Sequence, residues 1–268
     1  MSGAPRTGHM LDASWLRALF AAIQFLTRIP VPGGTARDPA LFAQDLRRGR
    51  VAFPLVGALI GAITALCLWL FLHVLPFPVA VVTALAVEAA LTGAFHEDAV
   101  ADFCDAFGGG WTKEDILRIL KDSRVGSFGV MGLLLAVALR ASGLMSMGDF
   151  ETAATALVVS GALGRLLVVA LMVIVPPVAG REGLSTHVGG EASPGVFAVA
   201  ALLIAPVLVW AVVRDGVALG ASLALLAVFA LWFRAYLIAR IGGATGDCLG
   251  FAAYTGIVAT TLAFARVH

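Results

Sequence analysis

The sequence predicts an all-α integral membrane protein with about seven transmembrane helices in one bundle. Three observations lead to this fold class: 60% of the 268 residues are hydrophobic, only 13% are charged, and long apolar runs recur along the chain. A soluble domain typically carries about 25% charged residues and 45–50% apolar ones. Because a single soluble core could not bury the excess, a lipid bilayer is the solvent that accommodates it.

The spans follow from runs of mostly apolar residues, since about 20 such residues cross the hydrocarbon layer as a helix. They are expected at 53–75, 79–95, 127–147, 152–176, 196–213, 217–233 and 249–266. Turn signals separate several of them, namely Pro76 with Pro78, Met147 to Glu151, and Arg214-Asp215-Gly216. We treat 1–268 as a single transmembrane domain, with 1–52 as a cytoplasmic or interfacial segment and 53–266 as the bundle.

The stretch from Ser14 to Leu26 predicts an amphipathic helix on the membrane surface, ended by Pro30 and Pro32. It contains Arg17 and is followed by no signal-peptide cleavage pattern. Fourteen of the 18 Lys and Arg fall in the N-terminal tail and in connections on one predicted side, against two on the other. The positive-inside rule places that basic side in the cytoplasm. The net charge of +1 gives no case for nucleic-acid binding.

An acidic cluster continues the second predicted span, from His96 to Asp105. Asp98, Asp102 and Asp105 stand at i, i+4 and i+7, which puts three carboxylates on one helix face. Stacked like charges destabilise a bare helix, whereas a hard cation such as Mg²⁺ would be bound by their oxygens. A solvated acidic helix end is the alternative. Apolar neighbours, and the lack of Lys or Arg among the acids, favour cation binding.

A basic segment follows one short helix later on the same predicted side. Gly108-Gly109-Gly110 should end the acidic helix, and a short helix from Thr112 to Leu120 should begin with Thr112 as its cap. Lys121, Ser123 and Arg124 can then hold phosphate oxygens. The N–H groups near Gly126 and Ser127 open the third span and form a natural anion site. Ordinary positive-inside anchoring is the alternative.

Other ionisable residues stand apart from these two segments. Asp247 lies in a glycine-rich loop before the last span, where it could complete a metal or nucleotide site or only cap the loop. Glu88, Arg140 and Arg165 lie inside predicted spans and should face the bundle interior. We expect Glu88 to pair with Arg140 or with Arg165. Alternatively, Arg165 reaches a substrate phosphate in a cavity.

Together these residues resemble cobalamin synthase, the adenosylcobinamide-GDP ribazoletransferase family. The resemblance covers almost the whole chain and rests on four segments in family order: Phe25 to Pro32, His96 to Gly109, Lys121 to Gly129, and Gly246-Asp247. The stretch KDSRVGSFG is the most specific. The chain departs from the family's usual pattern at Ala99 and Ala106, where relatives usually carry glycine.

The resemblance implies a transferase that joins GDP-activated adenosylcobinamide to α-ribazole or its 5′-phosphate, releases GMP and requires Mg²⁺. The metal ligands implied are Glu97, Asp98, Asp102, Asp105 and Asp247. The catalytic residues implied are His96, Asp98, Asp102 and Asp105, with His96 or a carboxylate as the base. The substrate-binding residues implied are Lys121, Ser123, Arg124, Gly126 and Arg165. The expected partners are these small molecules and the bilayer, without nucleic acid, and self-association is left open.

Other classes of membrane protein share parts of this pattern. A CDP-alcohol phosphotransferase has a related acidic motif. After the glycine that follows the second motif aspartate it should show an Ala-Arg and then two further aspartates, and this chain has no such continuation. A prenyltransferase would need a second full aspartate-rich motif. A transporter should show internal repeats or helices broken at the bilayer midplane, and its charges should not gather at one membrane surface.

Overall fold

The computed structural model describes residues 8–32, 38–179 and 192–265. In chain order the helices are α1 (Gly8–Leu26), α2 (Pro39–Gly49), α3 (Phe53–Phe71), α4 (Phe77–Thr92), α5 (Phe95–Gly109), α6 (Lys113–Ile119), α7 (Ser127–Met147), α8 (Phe150–Ile174), α9 (Pro194–Leu203), α10 (Ala205–Ile241) and α11 (Gly246–Phe264). A 3₁₀ turn, Arg50–Ala52, joins α2 to α3. Within these ranges there is no strand, only an isolated parallel bridge between Pro177 and Ala244.

Several of these helices can cross a membrane, which confirms the predicted all-α membrane fold. Five segments are long and apolar enough: Pro39–Phe71, Ser127–Met147, Phe150–Ile174, Ala205–Ile241 and Gly246–Phe264. The pair α4 and α5 passes the same test only when joined, although the two helices are bent by 88°. The described part of the chain therefore has five spans, or six with the bent pair, and the predicted count of seven is not confirmed.

The long helix α10 contains a break at the position of the predicted turn. Asp215 leaves helical geometry, with φ −159° and ψ 86°, and its carboxylate accepts a hydrogen bond from the Ala218 N–H at 2.9 Å. Arg214 pairs with Glu151 at the start of α8, whereas the Nε of Arg234 donates to the Ile174 carbonyl at its end. The part of α10 after Asp215 therefore runs alongside α8 in the same direction.

Helix α8 is the centre of the bundle. Its most apolar window is 78% buried, against 28% for α7, so α7 keeps most of its surface for lipid. Small residues allow the closest contacts: a Cβ on Gly57 of α3 would collide with the carbonyl oxygen of Gly161 of α8. Three residues further along α8, Gly164 lies against the backbone of Ala253 of α11. Such contacts are typical of helix association in membranes, because lipid provides little hydrophobic drive.

The acidic residues do not continue the second span, which corrects the sequence prediction. The chain turns between α4 and α5 at Gly93 and Ala94, both with left-handed backbone conformations (φ 68° and 55°). The side chain of Arg28 covers Gly93, and the backbone N–H of Arg28 donates to the Leu91 carbonyl at 2.8 Å. The left-handed geometry ends α4 and lets α5 start in a new direction. Helix α5 therefore lies outside the five spans.

The surface helices agree with their predictions. In α1, Trp15 and Leu16 are more than half exposed while Ala18, Ala21 and Leu26 are buried, so the helix is amphipathic. Helix α6 begins as expected, with the Thr112 hydroxyl accepting from the Asp115 N–H at 3.1 Å. Four basic residues used to predict the orientation lie outside the described residues: Arg6, Arg37, Arg181 and Arg266.

Candidate functional site

Helix α5 is held at one end of the bundle by α7 and α11. It crosses α11 so closely that a Cβ on Gly250 would lie 2.5 Å from the Cβ of Ala99. Ala99 is one of the two positions where relatives usually carry glycine. At this crossing the small residue is instead Gly250, on α11. The crossing brings the acidic helix next to Asp247, which lies in the first turn of α11.

Asp105 is bound to the start of α7. Its carboxylate accepts hydrogen bonds from the backbone N–H groups of Gly126, at 2.6 Å, and Gly129, at 2.8 Å. The positive end of a helix dipole stabilises such an anion. The chain's own carboxylate therefore occupies the N–H groups for which the sequence predicted a phosphate, including that of Gly126. Asp105 ties the acidic helix to the KDSRVGSFG segment.

The remaining aspartates form a cluster of negative charge. The pKa of Asp102 is raised to about 6, first by burial and then by the charges of Asp98, Asp247 and Asp105. No Lys or Arg contributes to this shift. Within the described residues, no three acidic, His or Cys side chains converge closely enough to form a complete metal cage. The carboxylates of the cluster therefore have no neutralising Lys or Arg, and they do not form a complete metal site from protein ligands alone.

A cavity of about 250 Å³ opens beside this cluster. Asp98 and Asp247, from α5 and α11, lie on its wall together with His96 and Arg165. Apolar side chains from α1, α3, α5, α8 and α11 line the rest: Phe25, Leu26, Phe53, Phe95, Ala99, Val168, Met172 and Leu249. The cavity thus combines two carboxylates, a guanidinium and an aromatic wall.

His96 and Arg165 meet inside this cavity. Both are buried, with 4% and 2% of their surface exposed, and Arg165 Nη2 lies 3.5 Å from His96 Nδ1. Because a guanidinium only donates, Nδ1 of His96 must accept and the ring proton sits on Nε2. Burial and the charges of Arg165 and Arg140 keep the pKa of His96 well below its usual value. His96 is thus a neutral side chain whose proton lies on Nε2.

The buried charges of the spans are paired unequally. Glu88 accepts two hydrogen bonds from Arg140, both at 2.9 Å, and one from Thr64 at 2.8 Å. Of the two predicted partners of Glu88, the structure pairs it with Arg140. Glu88 makes no direct hydrogen bond to Arg165 among those of the described residues. Among the described residues, Nε and Nη1 of Arg165 have no hydrogen-bond partner.

Glu97 faces this buried group rather than the aspartates. It is largely buried, and burial raises its carboxyl pKa. Its electrostatic interactions are with Glu88, Arg140 and Arg165, and none is with Asp98 or Asp102. As a metal ligand Glu97 stays a prediction, and its charged neighbours are Glu88, Arg140 and Arg165 of the spans.

The predicted phosphate-binding segment lies on the surface. Lys121, Ser123 and Arg124 are exposed. Arg124 binds Asp122 through Nε and Nη2, at 2.9 and 2.6 Å, so a ligand phosphate would have to compete with that carboxylate. A groove of about 380 Å³ runs between this segment and the end of α5.

Sequence reasoning missed some residues that shape the site. Phe25, Phe53 and Phe95 lie far apart in the chain, and no spacing could bring them to one cavity; Phe25 contacts both other rings, with centroids 5.7 and 5.1 Å away. The family resemblance could have pointed to Phe25, because Phe25 is the first residue of the first family segment. Gly250 carried no signal, since glycines are common throughout this chain.

The fold and site define a multi-pass helical membrane protein in which a surface helix rich in aspartate lies over a cavity holding a buried arginine. Residues 18–265 match the family described as cobalamin-5-phosphate synthase, and the chain belongs to that family.

Its relatives extend over nearly the whole chain. It is 39% identical over 251 residues to the adenosylcobinamide-GDP ribazoletransferase of Leptothrix cholodnii, covering 88% of this chain and 90% of the relative. It is 40% identical over 242 residues to the protein of that name from Ralstonia nicotianae, with the same coverage. For the Ralstonia pickettii protein, 37% identity extends over 256 residues, or 91% of this chain and 93% of the relative. No solved structure matches significantly. The relatives are transferases, so the chain is an enzyme of that kind.

Proposed function

We propose that the protein transfers adenosylcobinamide phosphate from its GDP-activated form to α-ribazole or α-ribazole 5′-phosphate, with release of GMP. The observation that carries this proposal is the cavity where Asp98 and Asp247 share a wall with a buried Arg165. Such a site offers carboxylates for a cation and a guanidinium for an anion, which are the two needs of pyrophosphate chemistry. The named relatives, with 37–40% identity, support the choice of substrates.

The aspartates suit Mg²⁺. All the donors are carboxylate oxygens. The pKa of Asp102 is raised first by burial and then by repulsion from the neighbouring carboxylates, and a bound cation would relieve both. Mg²⁺ commonly binds through one or two carboxylates, waters and substrate phosphates, so an incomplete protein cage is what such a site requires. Asp98, Asp102 and Asp247 would hold the ion. When bound, it would neutralise charge on the pyrophosphate oxygens.

The other side chains bind and orient the reactants. Lys121 and Ser123, together with Arg124 once it leaves Asp122, contact the outer phosphates of the nucleotide. His96 contacts Arg165 through Nδ1, and its Nε2 proton is available to a reactant. Since His96 has no free basic nitrogen in this arrangement, a carboxylate of the cluster accepts the proton of the attacking hydroxyl. Asp105 acts by holding α5 against α7.

The charge distribution supports a cytoplasmic site at the inner membrane of a bacterium. The basic residues Arg17, Arg28, Lys121 and Arg240 belong to the same end of the bundle as α5; for example, Arg240 donates to the Gly110 carbonyl at 2.8 Å. Basic segments of membrane proteins stay on the cytoplasmic side. A nucleotide-activated substrate would therefore be used where nucleotides are made.

The proposal is tested with the full chain purified in lipid nanodiscs. Wild-type protein, adenosylcobinamide-GDP, α-ribazole 5′-phosphate and Mg²⁺ should release GMP in equal amount to the new phosphodiester, and a chelator should stop the release. Asp102→Asn should lose activity, whereas Asp149→Asn, at the other end of the bundle, should keep it. The proposal fails if GMP release is absent from the wild type or unchanged by chelator.

A further inference from the structure

Another groove lies at the same end of the bundle as the aspartate cavity, outside the site described above. It has a volume of about 680 Å³ and runs between α1, α2 and α9. Phe53, at the start of α3, and Met172, whose carbonyl accepts from the Ala192 N–H just before α9, both line the aspartate cavity, which fixes the shared end. The lining of the groove includes Trp15, Arg17, Arg47, Arg48, Val51 and Val196.

The groove is positively charged. Among its lining residues that the structure describes, three are arginines and none is acidic. Arg47 and Arg48 are exposed, and so is 55% of the Arg17 side chain. Arg17 pairs with the buried Asp45, but their Nε–Oδ2 distance of 3.7 Å is longer than a hydrogen bond. Guanidinium groups gathered in this way can bind a phosphate through charge-assisted hydrogen bonds.

The position of the groove is the boundary between membrane and water. Helices α2 and α3 belong to one helical stretch of 33 residues, about 50 Å long, whereas the hydrocarbon layer is about 30 Å thick. Helix α3 contains no charged residue, while α2 carries Arg47 and Arg48 in its last turn, so α2 is the part that protrudes. Trp15 is more than half exposed, and tryptophan is enriched at this depth.

Apolar surface continues from the groove along α9. Val196, in the first turn of this helix, lines the groove, and Phe197, Val199 and Leu202 are exposed further along it. Since α9 starts at the charged end, these side chains lie deeper in the membrane than the arginines. A ligand that fits both parts has an anionic head and apolar chains, whereas a soluble phosphate would use the arginines alone.

We infer that this groove binds one anionic phospholipid, with its headgroup phosphate on Arg17, Arg47 and Arg48 and its acyl chains along α9. Basic pockets between helices at a membrane surface are a recurring form of headgroup site. Phosphatidylcholine carries the same phosphate with a compensating cation, so the arginines favour a lipid of net negative charge. The lipid joins α1 to α2 and α9. It thereby steadies the helix whose other end supplies Phe25 and Leu26 to the aspartate cavity.

Native mass spectrometry of the full chain in neutral detergent tests the binding without any substrate. Phosphatidylglycerol should bind as one retained molecule at concentrations where phosphatidylcholine does not. Arg47→Gln with Arg48→Gln should weaken this binding by about tenfold or more, since each basic residue near an anionic headgroup contributes about fivefold. The matched control, Lys113→Gln with Arg118→Gln, removes the same charge from α6 at the same end and should change the affinity by less than about twofold.

A fluorescence measurement locates the lipid and serves if the glutamine pair does not fold. Phosphatidylglycerol with brominated chains, added to nanodiscs of phosphatidylcholine, should quench Trp15, measured as the difference between wild type and Trp15→Phe. Absence of that quenching overturns the site. Equal binding of the two lipids, or equal losses in the test and control pairs, also overturns it. Glycerol 3-phosphate that competes with the lipid at equal concentration would show a site for soluble phosphate and overturn the lipid assignment.

Discussion

The carboxylate of Asp105 accepts a hydrogen bond from the Gly126 N–H at 2.6 Å, so the acidic helix α5 is fastened to the start of α7. Asp105 is one of three aspartates that share a helical face in the sequence, yet this contact gives it a different task from the other two. Asp98 is exposed at the cavity, and Asp102 lies between the other carboxylates. The three residues should therefore respond differently to substitution.

Asp105→Ala should destabilise the protein. The substitution removes two hydrogen bonds to backbone N–H groups and an anion at a helix N-terminus, so we expect a loss of about 2 kcal/mol. Asp98→Ala should change stability by less than about 0.5 kcal/mol, because Asp98 is exposed. Reversible denaturation in detergent, monitored by circular dichroism, measures both. Equal losses in the two variants would contradict the distinct role of Asp105.

Asp102→Asn should stabilise the metal-free protein while abolishing activity. The pKa of Asp102 is about 6 in the folded protein and 3.8 ordinarily. Between these two pH values the folded protein therefore binds more protons than the unfolded chain does. Stability is therefore lost as pH rises through this window, and asparagine, which carries no charge, avoids the loss. In chelator the variant should melt at a higher temperature than the wild type at pH 7.5, and the gap should close near pH 4. A wild type as stable as the variant at pH 7.5 would refute this explanation of the raised pKa.

Breaking the buried pair of Glu88 and Arg140 should be the most damaging of these changes. Both side chains are about 4% exposed or less, so Glu88→Gln leaves a buried guanidinium without its anion and should cost about 3–5 kcal/mol. The double variant Glu88→Gln with Arg140→Met should recover part of that loss. The surface pair of Glu151 and Arg214 is the control, where Glu151→Gln should cost at most about 1 kcal/mol. Unfolding in mixed micelles compares the three, and similar losses would argue against the buried pairing.

Gly250→Ala should lower activity because it separates the two helices that carry Asp98 and Asp247. A Cβ at this position would lie 2.5 Å from the Cβ of Ala99, too close for either helix to keep its place. Replacing Ala99 by glycine removes the colliding atom. The pair Ala99→Gly with Gly250→Ala should therefore regain most of the GMP release that Gly250→Ala loses. Additive losses in this double-mutant cycle would show that the crossing does not determine activity.

Local patterns in the sequence predicted local structure well. Thr112 and Asp115 are three residues apart, so the cap of α6 could be read directly, and the glycines after Phe107 end α5 as expected. Helical spacing also predicted that Asp98 and Asp102 would lie near each other. Each of these features depends on neighbours within one or two helical turns, where geometry is fixed by the chain itself.

Contacts between distant parts of the chain were beyond such reasoning. Glu88 and Arg140 are 52 residues apart, and the sequence offered Arg165 as an equally good partner. The start of α7 was expected to bind a ligand anion, but Asp105, 21 residues before Gly126, reaches it first. The turn at Ala94 was missed because alanine gives no signal for a left-handed conformation. Its apolar neighbours looked like an uninterrupted span.

The sharp turn at Gly93 and Ala94 also bears on how the protein enters the membrane during synthesis. A charged residue near the middle of an inserting helix costs about 2.5–3.5 kcal/mol. Because the chain bends by 88° before Glu97, none of the acids of α5 has to pass into the hydrocarbon with α4. The apolar segment before the bend, Phe77–Thr92, has 16 residues and contains Glu88 as its single ionisable group. The chain can therefore insert its apolar helices into the bilayer while the four acidic residues of α5 stay at the membrane surface.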